Sequence, residues 1–133
     1  MVVGAVVVAT ACSTAISSAP ATLEGAWGGQ DIWAHDSGAA KAFVVKVACW
    51  SALFQAPIPV NDSAQFTAAG TVILASWSPL NGTPVHMSGR ITRGELDVDL
   101  SIFNSPTGQW EEPRQYSLIA NAPAKWRDNY CIQ

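Results

Sequence analysis

Between Val85 and Phe103 the chain alternates apolar and polar residues almost one for one. Val85, Met87, Gly89 and Ile91 interleave with His86, Ser88, Arg90 and Thr92. After Thr92-Arg93-Gly94-Glu95, the apolar set Leu96, Val98, Leu100 and Ile102 interleaves with Glu95, Asp97, Asp99 and Ser101. Successive side chains of a strand point to opposite faces, so this pattern predicts a hairpin with one face in a core and one in water. The rest of the chain carries the same grammar less cleanly. Pro and Gly punctuate it every eight to fifteen residues, and no long stretch of helical period stands between them.

"GQDIWAHD" (29–36) reads as a first strand, and "KAFVVKVACW" (41–50), rich in Val and Phe, as a second. In the first, Trp27, Gly29, Asp31 and Trp33 share one face on strand phase, and Gly28, Gln30, Ile32 and Ala34 the other. Neither set is purely apolar, so phase leaves the inward face open. "SALFQAPIPV" (51–60) begins as a strand that its two prolines confine to an edge or a loop. "NDS" (61–63) is a turn by composition. "AQFTAAGTVILASW" (64–77) is one long strand with a bend or bulge expected at Gly70, and "SPLNGTP" (78–84) a loop with an Asn-Gly turn. "NSPTGQWEEP" (104–113) is a further loop, "RQYSLIANA" (114–122) the last strand, and "PAKWRDNYCIQ" (123–133) a closing tail. About seven or eight short antiparallel strands connected in sequence predict an all-β domain. It is expected to be a single small barrel or half-open barrel of meander type, closed because closure removes exposed edges.

The first residues differ. "MVVGAVVVATAC" is small and apolar, and no charge precedes Glu24. About eleven apolar residues are too few to span a bilayer, and match the core of a secretory signal. The run ends in small residues before Cys12, followed by the Ser/Thr/Ala/Pro-rich "STAISSAPAT". That order is expected of a signal whose processed cysteine carries lipid, with 1–22 as signal and flexible tether and 23–133 as the domain. A plain signal cleaved after "ATA" or "SSA" is the alternative. Without Cys12 two cysteines remain, Cys49 and Cys131, an even pair that suggests a disulfide in an exported chain. The loop it closes would contribute about 4 kcal/mol in the chain-entropy account. Two buried free thiols are the other reading.

The 133 residues suit one domain. Charged residues are only 13 % against about 25 % in an average domain. A net charge of −3 with seven basic residues and no basic patch argues against nucleic acid. Lys41 with Lys46, and Arg90 with Arg93, read as solvated strand ends.

The landmarks also occur in a recognisable order: Leu23, Gly25, Trp27, Gly28 and Gly29; a strand ending at Cys49; "PIPV" with Phe66 and Gly70; Ser88 to Ile91; Gly94 to Val98; "YSL"; and Cys131. This resembles small exported bacterial proteins, often lipoproteins, that open on W-G-G and hold a Cys pair in a compact β-barrel. Trp33 and Trp50 stand where such proteins usually carry small or polar residues. The resemblance implies the fold, export to the periplasm or cell envelope, and a membrane anchor at Cys12. It implies no activity.

The chemistry is sparse. "GAWGGQDIW" lacks both the Lys and the following helix of a phosphate loop, so Gly28 and Gly29 are read as a bulge or close strand crossing. His35, Asp36 and Ser37 are adjacent, but adjacency along a strand does not assemble a triad. Glu111 with Glu112 reads as a loop pair, and Asp97 with Asp99 as a solvated strand face. His35, His86 and two isolated cysteines lack the spacing of a metal site, and no cofactor is implied. Six tryptophans remain. Trp27, Trp50 and Trp126 are expected to plug the core around a Cys49–Cys131 junction. Trp33, Trp77 and Trp110, in or beside loops, are candidate ligand contacts together with His35. The expected role is a monomeric, envelope-associated binding module for an apolar small molecule or an envelope protein, without enzymatic activity. The alternative is an envelope hydrolase using His35 or His86.

Overall fold

The computed structural model describes residues 22–38, 41–75 and 80–127. Cys12, Trp77 and Cys131, with the lipid anchor and disulfide expected of them, lie outside the described residues. Nine strands are present among those described: β1 (Ala26–Gly29), β2 (Ile32–Ser37), β3 (Ala42–Val47), β4 (Trp50–Gln55), β5 (Gln65–Ala75), β6 (Pro84–Thr92), β7 (Glu95–Asn104), β8 (Gln109–Trp110) and β9 (Arg114–Ala120). Strands β1 to β7 are antiparallel neighbours in sequence order, and β9 pairs with both β7 and β1. The result is a closed antiparallel barrel of eight strands, with β8 as an extra strand on the end of β7.

Local chemistry explains several joints. Arg93 and Gly94 both have positive φ (48° and 84°), so Thr92 and Glu95 close the β6–β7 hairpin through the mirror-image turn that matches strand twist. The Asn61 side-chain oxygen accepts the N–H groups of Ser63 and Gln65, both at 2.9 Å, which makes the turn into β5. Leu96, Val98 and Leu100 are buried while Glu95 and Asp97 are exposed, as the alternation requires.

Three strands depart from expectation. The predicted first strand is a hairpin, β1–β2, reversing at Gln30-Asp31 with Asp31 at φ 60°. The reversal shifts the inward phase from odd to even positions. Trp27 therefore faces the core opposite Ala34, while Trp33 faces outward. The second strand ends at Val47, because Ala48-Cys49 form a two-residue turn and Trp50 pairs back onto Val47. In β5 the ladder runs unbroken through Gly70. The register shift falls opposite Ser51/Ala52, where Ile73 is the extra residue, and Ile73 and Leu74 stand exposed.

The interior is filled by side chains from every barrel strand, including Trp27, Ile32, Phe43, Phe54, Met87 and Leu118. Two inward glycines make room for aromatic rings. A Cβ at Gly70 would stand 2.6 Å from Phe54 Cδ1, and one at Gly89 2.7 Å from Phe66 Cζ. Each ring belongs to the residue directly across the ladder. Residues 121–127 then cross the outside of β1 as a strap. Its carbonyl at Ala122 and the Pro123 backbone occupy the space a Cβ on Gly28 would need, and a Cβ on Gly29 would meet the Ser117 carbonyl of β9. The W-G-G glycines thus serve a close backbone approach.

Candidate functional site

The outer face of β5, β6 and β7 presents small side chains: Thr67 and Ala69, then Ser88, then Ser101. A taller wall rises along one side. Residues 104–109 turn tightly, with Gly108 N–H donating to the Asn104 carbonyl at 2.8 Å and Gly108 at φ 71°. That turn brings β8 back onto the end of β7, pairing Trp110 with Phe103. The Glu111 N–H donates to the Ile102 carbonyl (2.9 Å), and the Ser101 hydroxyl donates to the Glu111 carbonyl, so the wall is tied to the sheet. Between the low floor and this wall lies a groove of about 760 Å³.

Trp110 is its dominant side chain. Its indole stacks on the His86 ring at 3.9 Å and 16°, meets Phe103 edge-on at 5.3 Å, and remains 41 % exposed. Three carboxylates line the same groove, Asp99, Glu111 and Glu112, and no Lys or Arg does so. The groove continues into a second depression of about 810 Å³ sharing Thr67, Ser88 and Asp99 and reaching Arg90 and Asp97. An exposed aromatic anchor, a floor of small residues and a few polar groups form a surface suited to binding.

The expected ligand contacts do not form one site. Trp33 stacks on His35 at 4.2 Å on the outside of β2. Lys46, opposite Trp33 in the ladder, lies 5.8 Å from the Trp126 ring. This patch is on the wall of the barrel opposite Trp110, since β2 and β6 are four strands apart in either direction. Trp126 is 43 % exposed there, so it is no part of a core plug. Trp27 is in the core, with its indole N–H donating to the Glu24 carbonyl at 2.9 Å, and Trp50 packs half-buried against the core. The pairing of Trp110 with His86 was hidden in the sequence, because it depends on how an irregular ten-residue loop folds back.

Among the described residues the imidazole rings of His35 and His86 make no hydrogen bond or ion pair. Histidine-assisted hydrolysis needs a positioned acid and nucleophile within hydrogen-bond reach, and the rings instead stack on tryptophans. Among the described residues no three His, Cys, Asp or Glu side chains gather closely enough to hold a metal ion.

Burial of Asp31 opposes its ionisation, but the Arg127 backbone N–H, the Arg127 guanidinium and the Gln30 amide outweigh that and hold its pKa below the usual value. This contact latches the strap to the β1–β2 turn, with Asp31 N–H donating to the Lys125 carbonyl at 2.8 Å and Lys125 N–H to Gly29 at 3.0 Å. It is architectural and sits beside β9, where Asp31 and Arg127 line a shallow depression with Gln115 and Ser117, apart from the Trp110 groove. No family model, no curated protein and no solved structure matches this chain.

Proposed function

We propose that the protein is a binding or interaction module of the bacterial cell envelope, exported and anchored through lipid on Cys12, that works as a monomer. Its groove beside Trp110 takes an apolar ligand or a protein partner. The observation that carries this reading is the exposed indole of Trp110, stacked on His86 and standing over a groove of about 760 Å³. A closed, filled barrel leaves little interior for cargo, so binding falls to the outer wall. The apolar start and the small residues before Cys12 support export, and export supports a Cys49–Cys131 bridge.

The groove is tested by titrating the purified domain with the neutral apolar dye N-phenyl-1-naphthylamine while following the Trp110 indole N–H resonance. A saturable shift that Trp110→Ala removes, with the other indole signals unmoved, supports the reading; an unmoved Trp110 signal overturns it. Native mass spectrometry of the chain purified from its own envelope tests the anchor and the bridge. Unmodified Cys12 in a mature chain would refute lipidation, and alkylation of both Cys49 and Cys131 without reductant would refute the disulfide.

A further inference from the structure

The groove has a one-sided chemistry. Its charged groups are Asp99, Glu111 and Glu112, and carboxylates only accept hydrogen bonds. The Ser101 hydroxyl is already donated to the Glu111 carbonyl. Thr67, Ser88, His86 and the Trp110 indole can donate to a neutral ligand, but every ionised group of the lining is a carboxylate, so what the groove adds beyond neutral hydrogen bonding is selection for positive charge. A ligand rich in donors and positively charged fits, provided it also carries apolar surface for Trp110, Ala69 and Pro113.

The two joined depressions also have a direction. Toward Trp110 no Lys or Arg lines the groove among the described residues; Arg114 lies beyond it, in a neighbouring depression that Glu111 and Glu112 also line. Toward the far end Arg90 faces Asp97 directly across the β6–β7 ladder, so the charges there offset. From His86 to Arg90 the trough follows β6 for four residue steps, about 13 Å at strand rise. That is the length of four extended residues.

Resting on the reading that the Trp110 groove binds a partner, we propose that its occupant is an extended basic segment of a partner protein, with an Arg or Lys side chain laid on Trp110 among Asp99, Glu111 and Glu112. Charge complementarity selects the partner, and the apolar parts of Trp110 and Pro113 hold the stem of the long side chain.

The probes are two capped pentapeptides, Ala-Leu-Arg-Leu-Ala and Ala-Leu-Glu-Leu-Ala, with spermidine as a small-molecule cation. Binding is read from the Trp110 indole N–H resonance. The arginine peptide is expected to shift it saturably, with the glutamate peptide at least tenfold weaker. The Glu111→Gln/Glu112→Gln variant should bind the arginine peptide about fivefold or more weakly, its fold verified by an otherwise unchanged amide spectrum. Raising NaCl from about 0.05 to about 0.5 M should weaken binding in the same direction. Equal binding of the two peptides, or an unchanged affinity in the Gln variant, overturns the proposal. Spermidine binding as tightly as the arginine peptide overturns the assignment to a protein segment. If the arginine peptide leaves Trp110 unmoved while the apolar dye shifts it, the charge selection fails and the binding groove stands; if neither shifts it, both fail.

Discussion

Phe54 reports on how the barrel is filled. Its ring is 0 % exposed and lies over Gly70, where a Cβ would stand 2.6 Å from Cδ1 and 2.5 Å from the Leu53 carbonyl. Phe54→Ala removes a whole buried ring above a position with no side chain of its own. Substitutions of this kind cost about 3–5 kcal/mol, with larger losses where neighbours cannot close the cavity. The glycine beneath cannot extend into the space, which places Phe54 toward the upper part of that range. For a domain of this size each kcal/mol lowers Tm by about 3–5 °C, so a loss of about 4–5 kcal/mol gives an expected fall of about 12–25 °C. The assay is thermal unfolding followed by circular dichroism, with urea titration giving the free energy independently. Phe54→Leu, which keeps most of the apolar volume, should lose no more than about 1.5 kcal/mol. A Phe54→Ala loss below about 1 kcal/mol would refute the packing of this ring over Gly70 and the filled interior that moves binding to the outer wall.

Three further outcomes follow from the strap and the groove. Gly28→Ala should displace residues 122–127, because the Cβ meets strap backbone, at a cost of about 1–3 kcal/mol. Hydrogen exchange at the Asp31 and Lys125 amides should accelerate, whereas Gly38→Ala, with open space around its Cβ, should leave both unchanged. The Asp31 latch should be pH-dependent. Its folded pKa lies below the ordinary 3.8, so folding favours the ionised form. Its contribution is complete above 3.8 and is lost as pH falls through the lower folded value. Melts in acid should therefore show a smaller gap between wild type and Asp31→Asn than melts at neutral pH, and a constant gap would contradict the latch. Trp110→Ala removes a half-exposed ring outside the core, so its melting temperature should stay within a few degrees of wild type while dye binding is lost.

The parts of this protein legible in the sequence are those governed by near neighbours. Period-two alternation from Val85 to Ile102 sets which side chains enter the core, and the structure keeps it on both strands. Arg93-Gly94 and Asn61 make their turns with atoms a few residues away, so their chemistry is visible locally. The polar outer face that floors the groove was visible by the same rule. The β1–β2 reversal was not, because Gln30-Asp31 carries no glycine and Asp31 takes its positive φ within contacts to the strap. Its carboxylate partner lies 96 residues away. With that reversal unseen, the inward face of Trp27 and the outward face of Trp33 stayed open. Trp110 could be suspected from its loop, but its seat on His86 required β8 to fold onto a strand whose position barrel closure decides. Alternation and turn chemistry are properties of a few consecutive residues. The phase of a strand without a clean apolar face, and the meeting of two loops across a closed sheet, depend on pairings between distant parts of the chain.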